Sequence, residues 1–108
     1  MLIFHAKALE EFRELPKSIR VAFGEALRIL QEGITLGMPA SRPMPSVVPG
    51  VDELRAKDLS GQYRAFYFKK SAAGILVLRA FHKKTQETPK SEIKLARKRL
   101  QELTDEVS

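Results

Sequence analysis

The sequence contains no cysteine, and its only histidines are His5 and His82. The missing cysteine excludes disulfides, a thiol nucleophile and the thiolate ligands of zinc fingers. Two isolated histidines do not indicate a metal site. No apolar run approaches the ~20 residues that a membrane-spanning helix needs, and the N-terminal apolar stretch is too short and too acidic for a signal peptide. We therefore expect a cytoplasmic protein that uses neither metal nor cofactor.

Basic residues are in excess. Nineteen lysines and arginines against thirteen acidic residues give a formal net charge of +6, with a pI of about 9.8. This balance favours a polyanionic partner, and nucleic acid is the commonest one, although an ordinary basic surface would show the same excess. The 108 residues, 44% of them hydrophobic, are enough to bury the core of one domain spanning residues 1–108.

The first half of the chain predicts a short strand and two helices. Residues 2–5 are typical of a strand. Apolar residues at helical spacing then continue from residue 6 to residue 32, with an interruption at Pro16. We interpret this segment as a helical hairpin that is kinked at Pro16. Four prolines within residues 33–50 favour a surface loop.

The second half predicts three strands and a helix. Strand patterns cover residues 51–58, 62–69 and 74–82, and their short glycine-containing connections favour consecutive antiparallel hairpins. Thr88 as N-cap and Pro89 at the first helical position predict the start of a C-terminal helix. The fold class is therefore α+β, in the order β-α-α-β-β-β-α, with an antiparallel sheet, an N-terminal helical hairpin and a C-terminal helix.

Alternation along the strands sorts their side chains into two predicted faces. The apolar face, expected to pack on the helical hairpin, comprises Leu54, Ala56, Phe66, Phe68, Leu76, Leu78 and Ala80. The other face is basic with interleaved aromatic residues, as RNA-binding surfaces often are, and comprises Arg55, Lys57, Tyr63, Tyr67 and Arg79. By strict alternation Arg64 and His82 fall on the apolar side, at its open edge.

Charged residues from distant segments are expected to meet at one end of this sheet. In a meander of three strands, the ends of the first and third strands lie beside the start of the second. The residues that this topology gathers are Arg55, Lys57, Tyr63, Arg64, His82, Lys83 and Lys84. Strands hold side chains more rigidly than loops do, so this end of the sheet is suited to a functional site.

The segments "ELRAKDLSGQYRAFYF" and "FHKKTQETPKSEIKLARKRL" resemble the RelE/HigB superfamily of bacterial type II toxins, in particular its phage-derived HigB branch. The resemblance covers residues 51–103, and the preceding helical hairpin agrees in order. It implies a small RelE-like fold, an mRNA endoribonuclease that acts on the ribosome, and a cognate antitoxin with a helix-turn-helix domain. It also implies that Arg55, Lys57 and Arg64 surround the scissile phosphate. His82, Lys83 and Lys84 correspond to the end of the last strand of the family.

The implied reaction is metal-independent attack of the RNA 2′-hydroxyl on the adjacent phosphate. Arg64 is our candidate for stabilising the developing charge, because a guanidinium donates two hydrogen bonds to phosphate. His82 and Lys84 are alternative proton-transfer residues: histidine exchanges protons near neutrality, and a lysine among cations favours its neutral form. Many family members use a C-terminal tyrosine, but this chain has none after Tyr67. The residues that we assign to RNA binding are Arg55, Lys57, Tyr63, Arg79 and Lys83.

Two other functions are compatible with the same predicted fold. A ParE-like toxin inhibits gyrase by binding and needs no cluster of arginine and histidine. A non-catalytic nucleic-acid-binding module would not arrest growth when expressed alone. Because one fold can carry several functions, the site must distinguish them.

Overall fold

The computed structural model describes residues 1–107 and contains one five-stranded sheet with helices on both faces. The strands are β1 (Leu2–Phe4), β2 (Ser41–Pro43), β3 (Val51–Asp58), β4 (Gly61–Ser71) and β5 (Gly74–Lys83), and the helices are α1 (Ala6–Arg13), α2 (Lys17–Gln31) and α3 (Lys90–Val107). The order across the sheet is β1-β5-β4-β3-β2. The predicted α+β class is confirmed. Within the described residues, no helix is both long and apolar enough to cross a bilayer.

The sheet is mixed, whereas the sequence predicted an antiparallel one. Strands β2 to β5 are antiparallel to their neighbours, but β1 pairs in parallel with β5, from Leu2 opposite Ile75 to Phe4 opposite Val77. Parallel neighbours need a long crossover connection. The chain between β1 and β5 provides one, since it contains α1, α2 and three strands.

The proline-rich segment is more ordered than the predicted surface loop. It contains the edge strand β2, which pairs with β3, and it buries Ser41, Met44 and Val47. Pro43 ends β2 at the edge of the sheet, where a missing N–H need not break a hydrogen-bond ladder. The prolines of this segment are therefore compatible with an edge strand.

Each face of the sheet packs against its own apolar core. The core beneath α1 and α2 takes Leu54, Tyr63, Ala65, Tyr67, Val77 and Ala80 from the strands. The core beneath α3 takes Val51, Phe66, Leu76, Leu78 and Phe81, with Phe68 packed against it. The predicted faces were therefore only partly right. Leu54, Ala56 and Ala80 do pack beneath the hairpin. The prediction was wrong for the others: Phe66, Phe68, Leu76 and Leu78 pack on α3, and the two tyrosines are buried beneath the hairpin.

The turn between β3 and β4 explains the first part of this error. The turn has two residues, so Asp58 lies opposite Gly61 and Leu54 lies opposite Ala65. The prediction assumed a three-residue connection, which would place Leu54 opposite Phe66. A shift of one residue in register moves every side chain to the other face.

A bulge in β5 explains the rest. Phe66 lies opposite Arg79, but Tyr67 lies opposite Val77, so Leu78 is an extra residue on β5. An extra residue reverses the phase of the alternation beyond it. Leu78 therefore faces α3, whereas Ala80, two residues later, faces the hairpin.

Partly buried ion pairs join α1 to α3. They lie beside the part of β5 that has no pairing with β1. Arg99, which is 5% exposed, donates to both carboxylate oxygens of Glu11 at 2.7 and 2.8 Å and to the Leu78 carbonyl at 3.1 Å. Glu11 also accepts a bond from the Ala80 N–H at 3.3 Å. Burial raises the pKa of Glu11, but these bonds and the nearby Arg79 outweigh it, so the pKa is lowered. These side chains therefore satisfy backbone groups at the edge of β5.

We predict that Phe66→Ala lowers the free energy of unfolding by about 3–5 kcal/mol, because it leaves a cavity between β4 and α3. Phe66 is 0% exposed. Urea denaturation followed by circular dichroism measures the change. Leu59→Ala, at a fully exposed turn position, is the control and should stay within about 0.5 kcal/mol of the wild type. Equal stability of the two variants would contradict the packing of α3 on this face.

Candidate functional site

Three arginines surround one buried carboxylate at an end of the sheet. Glu53 on β3 is 0% exposed and faces the α3 side. Its Oε1 lies 3.3 Å from Arg42 Nη2, 3.4 Å from Arg64 Nε and 3.9 Å from Arg55 Nε. Its Oε2 accepts a hydrogen bond from the Thr88 hydroxyl at 3.1 Å. We call Arg42, Arg55 and Arg64 the arginine cluster, and with Glu53 it keeps a net positive charge.

Strand pairing brings the arginine cluster together. Arg42 lies opposite Glu53 across β2 and β3, and Arg55 lies opposite Arg64 across β3 and β4. Side chains directly opposite each other have Cβ atoms about 4.5–5.5 Å apart, and like charges at that distance repel. Glu53 offsets this repulsion because it lies two residues before Arg55 on the same face of β3.

Arg64 is held by two hydrogen bonds from its Nη atoms, whereas its Nε makes none within the part of the chain that the structure describes. It is 3% exposed, and its Nη1 and Nη2 donate to the Tyr63 carbonyl at 3.0 Å and to the Gln62 side chain at 2.8 Å. The buried Nε atoms of Arg64 and Arg55 have no hydrogen-bond partner among residues 1–107. Both atoms instead face Glu53 Oε1, at 3.4 Å for Arg64 and 3.9 Å for Arg55. The charge of each guanidinium is therefore partly compensated within the protein.

Lys83 extends the positive charge from β5. It lies opposite Gln62, on the face that carries Arg64, and its Nζ donates to the Gln86 carbonyl at 2.6 Å. Burial lowers the pKa of Lys83, and the arginine cluster lowers it further, while Glu53 acts in the opposite direction. A lysine with a lowered pKa has a larger neutral fraction at a given pH, which favours proton transfer.

Two solvent-open cavities adjoin the arginine cluster. One has a volume of about 470 Å³ and is lined by Arg55, Lys57, Gln62 and Arg64, with Pro39, Ala40 and Ala56. The other has a volume of about 400 Å³, and its lining includes Arg42, Arg55, Lys83 and Thr88. Since Arg55 lines both cavities, an extended anionic chain could pass over it from one to the other.

His82 lies at the same end of the sheet but on the opposite face. Its ring stacks on Tyr63, with 4.6 Å between the ring centroids. Tyr63 is 7% exposed, and its hydroxyl bonds the Ser60 hydroxyl at 2.6 Å. The adjoining cavity, of about 430 Å³, is lined partly by Glu10 and Glu14 of the hairpin side. The structure therefore does not place His82 beside Arg64, and it gives Tyr63 a buried position.

The remaining predicted site residues have different positions. Lys84 follows β5 and is exposed. Arg79 forms ion pairs with Glu11 at 2.7 Å and with Glu92 at 2.8 Å. It lies nearer the middle of β5, away from the end of the strand at Lys83. The structure brings together Arg55, Lys57, Arg64 and Lys83 on one face, and it separates Arg79 from them.

Sequence reasoning missed Arg42 and Glu53 and gave Thr88 another role. Arg42 belongs to the segment predicted as a loop, which offered no strand signal. Glu53 could have been found, because the spacing of "ELR" puts it on the same strand face as Arg55. Thr88 was predicted to cap α3, but the helix begins at Lys90 and the threonine hydroxyl donates to Glu53.

Residues 10–101 match the family described as phage-derived Gp49-like proteins (DUF891). The chain belongs to this family. Gp49-like proteins form a toxin-like family related to the RelE/HigB-type toxins, and membership implies an antitoxin partner. The matched region contains the whole arginine cluster, together with Glu53 and Lys83. No curated protein matches the chain.

We predict that Arg64→Leu raises the pKa of Lys83 towards its ordinary value. Among the neighbouring cations, Arg64 lowers that pKa most, and its removal takes away the repulsion of the lysine ammonium. The ¹³Cε chemical shift of Lys83, followed by NMR as a function of pH, measures the effect. Arg13→Leu on the hairpin side is the control. An unchanged Lys83 pKa in a folded Arg64→Leu protein would contradict the electrostatic coupling.

Proposed function

We propose that this Gp49-like protein is the toxin of a type II toxin-antitoxin system, from the phage-derived HigB branch, and that it cleaves mRNA on the ribosome. The arginine cluster is the observation that carries the proposal. It combines three guanidinium groups with a single carboxylate, beside two solvent-open cavities. Such a site favours phosphate, which is anionic and accepts several hydrogen bonds. The ribosomal setting of the reaction is inferred from the family relationship.

The reaction begins when the RNA 2′-hydroxyl attacks the adjacent phosphorus. A new P–O2′ bond forms, the P–O5′ bond breaks, and the O5′ atom leaves with the electron pair and takes up a proton. Negative charge grows on the non-bridging oxygens in the transition state. Arg64 and Arg55, whose guanidinium groups line the same open cavity, stabilise that charge electrostatically. Donors that are already fixed in position need no reorganisation during the reaction.

Lys83 is the proton-transfer residue that the geometry favours. It lies on the face of Arg64, and its pKa is lowered. As a neutral amine it would accept the 2′-hydroxyl proton, and as an ammonium it would donate a proton to the leaving O5′. Lys84, next in the chain, and His82, on the other face, are the alternatives that the sequence suggested.

Binding of the RNA on either side of the scissile phosphate is assigned to cations that line the two cavities. Lys57 lines one cavity, and Arg42 with Lys83 lines the other. Each would contact a flanking phosphate without reading the base. Substitution of Lys57 should therefore weaken binding more than it slows the chemical step.

A ParE-like gyrase inhibitor and a non-catalytic nucleic-acid-binding module are the competing functions. Neither of them requires a cluster of three arginines with excess positive charge beside a lysine of lowered pKa. The nuclease proposal gives these features a function, since each corresponds to a step of phosphodiester cleavage.

We predict that Arg64→Ala reduces mRNA cleavage by about 10²–10³-fold, the usual cost of removing one transition-state donor. Primer extension on translated mRNA measures cleavage, and circular dichroism checks the fold. Arg55→Ala is a second variant, because its side chain is more exposed and its loss disturbs the core less. Arg28→Ala, at an exposed ion pair on α2, should cleave normally. Wild-type cleavage by folded Arg64→Ala and Arg55→Ala proteins would remove the arginine cluster from the mechanism.

We predict that Lys83→Met slows cleavage by at least about 10²-fold, the lower range for loss of a general base or acid. It should also flatten the rise of the single-turnover rate with pH, because the neutral form of Lys83 grows as pH approaches its lowered pKa. Single-turnover rates of Lys84→Met and His82→Gln provide the comparison, and both should keep the pH dependence. If His82→Gln alone flattens the profile, the proton-transfer role belongs to His82. Growth arrest by the wild type without mRNA cleavage would favour gyrase inhibition.

A further inference from the structure

An aromatic pair, Tyr63 and His82, lines the cavity on the hairpin side of the sheet end. The two rings are nearly parallel, with 17° between their planes. Tyr63 is buried, whereas His82 is exposed. Tyr63 therefore covers one face of the imidazole, and the rest of the ring reaches the cavity of about 430 Å³. A cavity of this volume lies within the usual range of small-ligand sites.

Hydrogen bonds hold the aromatic pair in place. The Tyr63 hydroxyl bonds the Ser60 hydroxyl, which itself donates to the Asp58 carboxylate at 2.6 Å. Asp58 also accepts a hydrogen bond from Ser18 of α2 at 3.2 Å. The bond from Ser60 is the main reason why the pKa of Asp58 is lowered, and an ionised carboxylate keeps accepting these bonds. The aromatic pair is therefore fixed before any ligand binds, which reduces the entropy cost of binding.

Gly61 leaves room for the imidazole of His82. Its φ of +138° lies in a region that L side chains rarely adopt. A Cβ atom at position 61 would also collide with His82 Nε2. Gly61 therefore lets the imidazole lie against the turn between β3 and β4, directly opposite Tyr63 in the strand register.

Two carboxylates of α1 line the same cavity. Glu10 and Glu14 are both exposed, and a separation of four residues puts them on one face of the helix. Within residues 1–107, their side chains make no ion pair or hydrogen bond. Glu11 also lines the cavity, but it is already paired with Arg79 and Arg99. Glu10 and Glu14 can therefore accept hydrogen bonds from a ligand that stacks on His82.

We propose that this cavity binds a nucleobase of the RNA, stacked on His82, and that it selects guanine. Histidine is one of the side chains on which unpaired RNA bases stack. An ionised carboxylate only accepts hydrogen bonds. Guanine presents two neighbouring donors, N1–H and N2–H, on its Watson–Crick edge. Each of the other three bases has one donor group on that edge, next to an acceptor that a carboxylate repels.

The end of β5 connects this cavity to the arginine cluster. His82 and Lys83 are consecutive, so their side chains leave opposite faces of the strand, about 3.3 Å apart along it. An RNA strand that crosses the end of the sheet can therefore place a phosphate at the arginine cluster and a neighbouring base on His82. The phosphate contacts position the RNA, and the base contact supplies specificity. The choice of RNA as the ligand rests on the proposed function.

An arginine of a protein partner is the competing occupant, because a guanidinium also stacks on rings and pairs with carboxylates. The charge of the adjoining surface favours RNA. Lys83 and the arginine cluster make that surface positive, so it attracts phosphate and repels a cationic peptide.

Fluorescence anisotropy of the full chain with labelled 2′-O-methyl pentaribonucleotides tests the proposal without cleavage, because the blocked 2′-oxygen cannot attack the phosphate. The four probes carry guanine, adenine, cytosine or uracil at the centre, between uridines. The wild type should bind the guanine probe about tenfold more tightly than the others, as a bidentate base contact does. His82→Ala should raise the Kd of the guanine probe about tenfold, whereas His82→Phe keeps a ring for stacking and should stay within about threefold.

The carboxylates are tested with the same probes. The double variant Glu10→Gln/Glu14→Gln should lose the preference for guanine, because the amides also present donors. Glu25→Gln removes an exposed carboxylate of α2 outside the cavity and is the matched control. Gly61→Ala should act like His82→Ala, since the added Cβ displaces the imidazole. Circular dichroism checks every variant, and primer extension on translated mRNA shows whether the cleavage sites of the wild type carry guanine beside the cut bond.

Each outcome has a defined meaning. A guanine preference that is lost in His82→Ala and in the double glutamate variant, but kept in the control, supports the proposal. Equal affinity of the wild type for the four probes, or unchanged affinity in folded His82→Ala, overturns it, and continued mRNA cleavage then leaves the nuclease assignment in place. Equal losses in His82→Ala and His82→Phe would show that stacking is not the role of the ring, which also overturns it.

Two further results separate this site from its alternatives. Tighter binding of a tri-arginine peptide than of the guanine probe, lost in His82→Ala, would assign the cavity to a protein partner and overturn the proposal. A wild type that prefers the guanine probe through His82 but cleaves no mRNA overturns only the nuclease assignment.

Discussion

The burial of Glu53 is the interaction on which this end of the sheet depends. A carboxylate removed from water costs several kcal/mol unless cations and hydrogen bonds compensate. Here the compensation comes from three strands: Arg42 on β2, Arg55 on β3 and Arg64 on β4. The Thr88 hydroxyl, in the segment before α3, donates a hydrogen bond to the other carboxylate oxygen of Glu53. Without Glu53, the arginines would repel one another at neighbouring positions, so the carboxylate makes a dense positive site compatible with a folded sheet.

This compensation is incomplete, and the deficit has a thermodynamic consequence. Among residues 1–107, the buried Nε atoms of Arg55 and Arg64 make ion pairs with Glu53 but no hydrogen bond, and positive charge remains in excess around Glu53. An anion that binds only the folded state stabilises it by mass action. The fold and the proposed phosphate site therefore use the same groups, so an anion bound at the arginine cluster would also stabilise the folded protein.

The order of the elements other than the edge strand β2 could be predicted from the sequence. The gathering of Arg55, Lys57, Arg64 and Lys83 could be predicted too, because it follows from strand pairing and short connections. It did not reveal which face each residue occupies. That depends on whether the turn after Asp58 has two residues or three, and on an extra residue at Leu78. Both are differences of one residue that hydrophobic alternation cannot resolve when the two faces are equally apolar. Arg42 was missed for another reason: the prolines around it predict a loop, whereas the structure has an edge strand there.

The bulge at Leu78 has a consequence for how the length of β5 can vary. Beyond it, Lys83 lies opposite Gln62 on the side of Arg64, and His82 lies opposite Tyr63 on the hairpin side. Deletion of the extra residue would restore regular alternation and leave these partners unchanged, because pairing with β4 fixes the face of each residue. The strand could therefore lose one residue at this point and still place the amine and the imidazole on the same two faces.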